Sequence, residues 1–428
     1  MHRNKSLNLA FFSAALIVIA VLAVLVLVQG QHGKGDGKTI IIIEDALRWD
    51  YVLDNLDELP NFRYVVENGA YGKSKPVSPT FSSAQFPAIY ESKRSDNLDW
   101  SYAFIFNVSA EWNCSRNFIG ELPPSYGNAD TDMRKIFVKN GKGVAAITVN
   151  SENIDPDAIS SSIENNDVIF VYDPMLDNHG HHMPAETDRM LPYLKLSDSN
   201  LGKIITAMRN KKLIDRSTII IFGDHGMATI DKYPQWKLIL KDLSGLGVKE
   251  ENTCYWNDAG VSIRFWFRNE TVKGDLAPKL ADYFKNRVPY RDCFFVPDEG
   301  YLKSHNLVHK NPAVARENLG DFIVGVNVGC KLVYENVPGF LSNFEEKLSE
   351  VDKYTSMHGY LDNGHENMSA FVGMAGPSFS KGEYIEINIT DIAPTLMCGM
   401  GYEDEEYYNS VDGNVVCGAL ENGCSRCR

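Results

Sequence analysis

Continuous apolar runs recur in the first half of this chain, with helical or loop-like stretches between them. Four such runs are rich in Val and Ile: Thr39 to Ile43, Gly143 to Val149, Asp167 to Tyr172 and Ser217 to Phe222. Unalternating runs of this length are typical of parallel strands that are buried on both faces. Leu191 to Lys212 carries apolar residues at helical spacing and predicts a long amphipathic helix. The strand–helix–strand order predicts an α/β fold with a mostly parallel central sheet flanked by helices.

The stretch from Lys249 to about Asn336 has a different pattern. Short strand-like runs such as Val261 to Phe267 replace the longer strand–helix units, and three of the eight cysteines lie here. We therefore expect a small lateral subdomain over residues 249–336, within one domain that spans residues 39–428.

The N-terminal residues predict a membrane anchor. Leu9 to Val28 is apolar except for Ser13, which is long enough to cross a bilayer as a helix. Basic residues before this run favour a cytoplasmic N-terminus. We expect a cytoplasmic tail (1–8), a transmembrane signal anchor (9–28) and a Gly-rich tether (29–38). The chain would then be a single-pass type II membrane protein whose domain over residues 39–428 is extracellular or lumenal. The alternative is a cleaved signal peptide, although Val26 to Gly30 is a poor cleavage site.

Cysteines and glycosylation sequons agree with that compartment. An even number of cysteines in an oxidising compartment predicts disulfides; they are Cys114, Cys254, Cys293, Cys330, Cys398, Cys417, Cys424 and Cys427. The last two form a CxxC pair, which could instead be half of a zinc ribbon or a redox pair, but the chain has no second CxxC. Five Asn-x-Ser/Thr sequons follow the predicted anchor, and they begin at Asn107, Asn113, Asn269, Asn367 and Asn388.

The net charge of −14 argues against a protein that binds nucleic-acid polymers, because phosphate binding favours a basic face. The charge leaves room for a small anionic ligand at a local metal site.

Acidic and histidine residues follow the predicted strands. In open α/β sheets, ligands bind outside the carboxyl ends of the strands. The candidates there, with one later histidine, are Asp45, Asp177, His181, Asp224, His225 and His358. Three carboxylates and three imidazoles would suit two zinc ions with open positions for substrate. Singly, each residue could be a turn or an exposed helical position, and His365 could take the place of His358.

A hydroxyl cluster supplies candidate nucleophiles. Pro79 to Pro87 contains Thr80, Ser82 and Ser83, and a hydroxyl beside two metal ions can act as a nucleophile at neutral pH. Such clusters more often belong to loops or helix caps, and residue chemistry does not choose among the three.

Four motifs carry a family resemblance. They are Asp45-Ala-Leu-Arg-Trp-Asp-Tyr51, Asp173-Pro-Met-Leu-Asp-Asn-His-Gly-His181, Gly223-Asp-His-Gly-Met227 and Met357-His-Gly-Tyr-Leu-Asp-Asn363. In this order they resemble the motifs of the nucleotide pyrophosphatase/phosphodiesterase (ecto-phosphodiesterase) family of the alkaline-phosphatase superfamily. The resemblance implies an alkaline-phosphatase-like fold and hydrolysis of phosphodiester or pyrophosphate bonds of nucleotides.

The resemblance also implies roles for the site residues. One zinc ion would be held by Asp45, Asp224 and His225, and the other by Asp177, His181 and His358. Aligning Pro79 and Thr80 places Ser82 at the nucleophile, where it would also be a metal ligand and form a covalent phospho-enzyme. The amide of Gln85 and the backbone N–H of Ser83 would hold a phosphate oxygen. A rival alignment on Phe86 and Pro87 places Gln85 at the nucleophile, and an amide cannot attack phosphorus.

Departures from the family pattern leave the substrate open. Phe81 stands where the family has Lys, Glu91 to Asn97 differs from the family's loop, and His182-Met-Pro184 lacks the Tyr with which nucleotide-binding members stack on the base. The alternatives are a lipid or choline phosphodiesterase, a phosphotransferase, or a catalytically weakened surface protein that retains the fold.

Overall fold

The computed structural model describes residues 37–97, 104–106, 116–118, 130–149, 152–333, 354–402 and 404–427. The predicted membrane anchor, nearly all of the tether, and the sequons at Asn107 and Asn113 lie outside these residues. No helix within the described ranges combines the length and apolar character needed to span a bilayer.

The strands are given in chain order. They are β1 (Thr39–Glu44), β2 (Gly69–Lys75), β3 (Phe104–Phe106), β4 (Arg116–Phe118), β5 (Val144–Thr148), β6 (Val168–Asp173), β7 (Thr218–Phe222), β8 (Ala228–Thr229), β9 (Thr253–Asp258), β10 (Ser262–Phe267), β11 (Phe294–Phe295), β12 (Phe322–Val326), β13 (Ser356–Met357), β14 (Ala370–Ala375) and β15 (Tyr384–Asn388).

The helices follow the same convention. They are α1 (Trp49–Leu53), α2 (Pro60–Glu67), α3 (Ser82–Tyr90), α4 (Met133–Lys139), α5 (Pro156–Asn165), α6 (Met175–Gly180), α7 (Thr187–Asn210), α8 (Trp236–Gly245), α9 (Glu270–Asp282), α10 (Glu299–Ser304), α11 (Pro312–Leu319), α12 (Ile392–Gly399) and α13 (Glu405–Ser410).

A seven-stranded sheet in the order β15-β2-β14-β7-β1-β6-β5 forms the centre of the described fold. Strand β1 pairs in parallel with β6 and β7, and β5 pairs in parallel with β6. Strand β14 runs antiparallel to β2 and β7. The predicted α/β class with a mostly parallel sheet is therefore confirmed.

Both faces of the sheet are apolar, as the unalternating runs predict. Ile41 and Ile43 belong to the core on the side of α3 and α12, whereas Ile40 and Ile42 belong to the core on the side of α7. Burial on both faces explains why β1 is isoleucine at four consecutive positions. Helix α7 is the predicted amphipathic helix, and it begins at Thr187, four residues before the predicted start.

Asp198 on α7 has a structural role. Its carboxylate accepts hydrogen bonds from the backbone N–H groups of Asn61 and Phe62, both at 2.9 Å. These donors lie in the first turn of α2, whose N-cap residue, Leu59, has no side-chain acceptor. Asp198 therefore caps α2 from a distant helix.

A second sheet, in the order β11-β12-β10-β9, is antiparallel. It lies within residues 249–336, the range in which the sequence predicts a lateral subdomain. Arg264 and Asp258 form a buried ion pair inside it, and the Cys293–Cys330 disulfide joins its last strands to the following loop. Its apolar core also includes Met357 and thus reaches the segment that carries His358.

Disulfides are confirmed for the cysteines that the structure describes, whereas Cys114 lies outside the described residues. Cys398 is bonded to Cys424 and Cys417 to Cys427, and Cys254 is also disulfide-bonded. The two cysteines of the terminal CxxC pair therefore have different partners. This pairing favours structural disulfides over a zinc ribbon or a redox pair at the C-terminus.

Candidate functional site

The six predicted metal ligands lie together at the carboxyl edge of the central sheet. Asp45 directly follows β1, and Asp224 with His225 follows β7. Asp177 lies on α6, the short helix after β6, and His181 immediately follows that helix. The sixth ligand, His358, follows β13. Parallel strands end at the same edge of a sheet, so distant segments of the chain deliver their side chains to one place.

Asp45, Asp224 and His225 form the first group of ligand atoms. The Nε2 atom of His225 lies 3.4 Å from Asp45 Oδ1 and 3.4 Å from Asp224 Oδ2. All three side chains are buried. Their ligand atoms lie within 4.8 Å of one another, which is compatible with a single metal ion between them.

Asp177, His181 and His358 form the second group. Asp177 Oδ1 lies 3.4 Å from His181 Nε2 and 3.3 Å from His358 Nε2. The rings of His225 and His358 are stacked with their centroids 3.8 Å apart. Ligand atoms of Asp177, His225 and His358 also lie within 4.8 Å of one another. The two groups are therefore one continuous cluster, with His225 between them.

Each of the three carboxylates leaves one oxygen facing the cluster. Asp224 Oδ1 accepts hydrogen bonds from the N–H groups of Ala46 (3.1 Å) and His225 (2.9 Å), and Asp45 Oδ2 accepts one from the hydroxyl of Tyr172. Asp45 Oδ1, Asp177 Oδ1 and Asp224 Oδ2 are buried without a hydrogen-bond partner in the described structure. Unpaired buried carboxylate oxygens are costly unless they bind a cation. The donor set thus fits metal ions.

The three imidazoles are oriented to offer Nε2 to the cluster. Nδ1 of His181 faces the carbonyl of Ser356 (3.1 Å), Nδ1 of His225 that of Gly226 (2.9 Å), and Nδ1 of His358 that of Thr80 (3.1 Å). A carbonyl only accepts, so Nδ1 carries a proton, and in the neutral imidazole Nε2 then has the free lone pair that a metal requires.

Burial and mutual repulsion shift the pKa values at this site. Burial raises the pKa of Asp45 well above its ordinary value, and the charges of Asp224 and Asp177 raise it further. Burial lowers the pKa of His181 to about 4 and also lowers that of His225. Burial would lower the pKa of His358 too, but the contact with Asp177 outweighs it and raises that pKa. Burial would raise the pKa of Asp177 too, but His181 and His358 outweigh it and hold that pKa below its usual range. The site gathers carboxylates that repel one another, and bound cations would relieve that repulsion.

Ser82 is the predicted nucleophile, and it lies beside the first group. Its Oγ atom is 2.9 Å from His225 Nε2, at the N-terminus of α3. Phe81 at the N-cap offers no side-chain acceptor, so the first N–H groups of the helix are not capped by that side chain. Of the rival hydroxyls, Thr80 is fully buried and accepts a hydrogen bond from the N–H of Gly359 at 2.8 Å. Ser83 is partly buried on the same helix.

Gln85 lies apart from the predicted phosphate site. Its side chain is fully buried, and Oε1 accepts a hydrogen bond from the N–H of Val77 at 2.8 Å. Its Nε2 donates to the carbonyls of Val77 and Pro79, both at 3.0 Å. These contacts satisfy backbone groups of the loop before α3, which would otherwise be buried unpaired. In this arrangement Gln85 holds the loop rather than a phosphate oxygen, which differs from the expectation.

The sequence reasoning missed Tyr172 and Arg48. Tyr172 lies near the carboxyl end of β6 and carries a hydroxyl group. A polar side chain at that end of a buried strand was the signal by which the sequence could have identified it. Arg48 forms an ion pair with Asp50 and donates from Nη1 to the carbonyl of Met227 at 3.0 Å. Arg48 thereby ties the loop after β1 to the loop after β7, which carries Asp224 and His225.

The choice of His358 over His365 agrees with the geometry. His365 precedes a short 3₁₀ turn, and its Nδ1 accepts a hydrogen bond from the N–H of Asn367 at 3.2 Å. His179, which neighbours the second group, stacks on Tyr193 at 4.0 Å instead of joining the cluster.

Comparisons with known proteins identify the family of this chain. The family model for type I phosphodiesterase / nucleotide pyrophosphatase matches residues 91–360. The human ectonucleotide pyrophosphatase/phosphodiesterase family member 7 is 21% identical, over 90% of this chain and 85% of that protein.

Solved structures resemble the fold. Human ectonucleotide pyrophosphatase/phosphodiesterase 5 has a TM-score of 0.62 at 17% identity, covering 84% of this chain and 94% of that one. An inactive variant of the murine protein in complex with AMP has a TM-score of 0.63 at 16% identity, covering 85% and 95%. The family model matches more than half of this chain, so the chain belongs to the type I phosphodiesterase / nucleotide pyrophosphatase family.

Proposed function

We propose that this chain is a zinc-dependent phosphodiesterase that hydrolyses phosphodiester or pyrophosphate bonds of nucleotides, with Ser82 as the nucleophile. The observation that carries the proposal is the position of Ser82 Oγ, 2.9 Å from His225 Nε2. That atom stands at the edge of a cluster with three buried, unpaired carboxylate oxygens. A hydroxyl in such a place is suited to attack a phosphorus atom held by cations.

Two Zn²⁺ ions fit the donor set better than other common metals. The cluster combines imidazole nitrogens with carboxylate oxygens, a mixture typical of zinc sites, whereas Mg²⁺ and Ca²⁺ favour oxygen ligands alone. We assign Asp45, Asp224, His225 and Ser82 to one ion, and Asp177, His181 and His358 to the other. When bound, the ions would favour the deprotonated form of Ser82 and offset negative charge on the phosphoryl group.

The reaction takes place in two displacements at phosphorus. Ser82 Oγ forms a bond to phosphorus, and the bond to the leaving alcohol or phosphate breaks with its electron pair on the leaving oxygen. Water then attacks the covalent phospho-enzyme, and Ser82 leaves as the restored hydroxyl. The N-terminus of α3 points at this position, so the backbone N–H of Ser83 is placed to hold a phosphate oxygen.

A nucleotide substrate is supported by the relatives. The murine structural neighbour is described as an inactive variant in complex with AMP. We extend that ligand class to this chain because it belongs to the same family and has a similar fold.

One observation favours a second candidate, a lipid or choline phosphodiesterase. Phe81 stands directly before Ser82, and its ring meets that of His358 edge-on at 6.0 Å. A phenyl group there puts an apolar surface beside the nucleophile in place of the family's cationic side chain. Such a surface favours an apolar or weakly charged substituent over a polyphosphate.

The compartment of the chain is also a proposal. We place the domain outside the cytoplasm on a type II anchor, supported by the disulfides and by two exposed sequons. Asn269 caps α9 through Oδ1, which accepts from the N–H of Val272 at 3.0 Å, so its amide nitrogen takes no part in the cap. Asn388 is exposed at the end of the edge strand β15.

Replacing Ser82 by Ala is expected to lower kcat for a nitrophenyl nucleotide ester by about 10³-fold or more, because the attacking oxygen is lost. Ser83→Ala keeps the backbone N–H and is expected to retain activity within about fivefold. Steady-state kinetics on zinc-loaded protein measures both variants. Equal losses in the two variants, or full activity in Ser82→Ala, would contradict the assignment.

The substrate class is tested by a Phe81→Lys variant. We expect the added cation to raise kcat/KM for a nucleotide pyrophosphate ester relative to a phosphocholine ester, by about tenfold. Phe81→Leu, which stays apolar, is the matched control and should leave the ratio nearly unchanged. Wild-type protein that prefers the phosphocholine ester would favour the second candidate.

The compartment is tested by N-glycan release. Treatment with an N-glycosidase is expected to increase the electrophoretic mobility of protein from a eukaryotic host, and Asn269→Gln and Asn388→Gln should each remove part of that shift. The mobility of the glycosidase-treated variants should equal that of treated wild type. No shift in any sample would contradict an extracytoplasmic domain.

A further inference from the structure

We infer that Tyr172 is a positioning residue: its hydroxyl holds Asp45 Oδ2, so that Asp45 Oδ1 faces the proposed metal site. The inference rests on the proposed metal pair and adds a residue outside the predicted ligand set. Its contact is direct: the Tyr172 hydroxyl donates to Asp45 Oδ2. The other oxygen, Asp45 Oδ1, has no partner in the described structure and lies 3.4 Å from His225 Nε2.

The backbone around Asp45 is already fixed, so only its side-chain torsions remain to be set. The N–H of Asp45 donates to the carbonyl of Asp173 at 2.9 Å, in continuation of the β1–β6 pairing. The next residue, Ala46, has a φ of +60°, in the left-handed region that non-glycine residues rarely adopt. The chain therefore turns sharply after Asp45 and points the carboxylate at the edge of the sheet.

Asp224 offers a contrast within the same group. Its Oδ1 accepts two backbone N–H groups, from Ala46 and His225, which no side-chain substitution removes. The structure orients Asp45 Oδ2 through one side-chain hydroxyl instead. A single conservative substitution, Tyr172→Phe, can therefore free the Asp45 carboxylate to rotate, whereas no side-chain substitution removes the two N–H groups that hold Asp224.

Tyr172 is itself held against the helix that carries the nucleophile. Its ring contacts Phe86 of α3 edge-on, with centroids 5.8 Å apart. Strand β6 fixes its backbone through pairing with β1 and β5. Tyr172 therefore links the position of Asp45 to the position of α3, which begins at Ser82.

Removing the hydroxyl leaves Asp45 free to rotate and to expose either oxygen. In Tyr172→Phe the ring and its contact with Phe86 are kept, and only the donor is lost. Loss of a partner that orients a ligand typically weakens metal binding by about 10- to 100-fold. We expect that loss for the metal ion bound by Asp45, Asp224 and His225, with the affinity of the other ion changed by less than about threefold.

The experiment is a zinc titration of full-length, chelator-stripped protein against a chromophoric chelator, for wild type and Tyr172→Phe. Two affinities are expected for wild type, and one of them should fall in the variant. Tyr283→Phe is the matched control, because Tyr283 is also buried and donates to a carboxylate, Asp242 Oδ2, at 2.8 Å in another part of the molecule. It should lower the thermal stability of the metal-free protein without changing either zinc affinity.

Replacing Tyr172 by para-aminophenylalanine keeps an N–H donor at the same place and should restore the affinity to within about threefold of wild type. This variant also tests the inference if Tyr172→Phe fails to fold. Unchanged zinc affinities in Tyr172→Phe, with a stability loss like that of Tyr283→Phe, would overturn the positioning role alone. Absence of zinc binding by wild type would overturn the proposed metal pair and this inference with it.

Discussion

Asp45, Asp177 and Asp224 each bury a carboxylate oxygen that has no hydrogen-bond partner among the described residues, and this constraint shapes the whole site. Gathering them in one place is unfavourable in the protein alone, because burial and like charge both oppose ionisation. A bound cation would offset both the burial and the mutual repulsion of these carboxylates. Three imidazoles with their Nδ1 protons held by carbonyls complete a donor set that could hold metal ions.

The central sheet makes this arrangement possible. Strands β1, β6 and β7 are neighbours and end at the same edge, so the segments that follow them, a turn after β1 and β7 and helix α6 after β6, deliver their ligands to the same place. Their apolar faces pack against α7 on one side and against α3 and α12 on the other, which fixes the strand ends. The antiparallel sheet contributes differently, because its core extends to Met357 and supports the segment that leads to His358.

Much of this could be predicted from the sequence. The unalternating runs at Thr39 to Ile43 and Ser217 to Phe222 predicted buried parallel strands, and ligand types after strand ends predicted the cluster. Choosing Ser82 over Thr80 needed the family resemblance, and the geometry supports it because Thr80 is fully buried and its hydroxyl accepts a hydrogen bond from the N–H of Gly359. Gln85 shows where pattern matching fails: an amide suits a phosphate, but it equally suits the unpaired backbone of the preceding loop. Tyr172 was missed because a contact across two strands leaves no local motif.

The central claim is that this cluster binds two metal ions, and a crystal structure of zinc-loaded protein with anomalous diffraction at the zinc edge tests it most directly. We expect two anomalous peaks about 3.5–4 Å apart, as in other two-metal sites. One peak should contact Asp45, Asp224 and His225, and the other Asp177, His181 and His358. A single peak, no peak, or peaks bound away from these six side chains would contradict it.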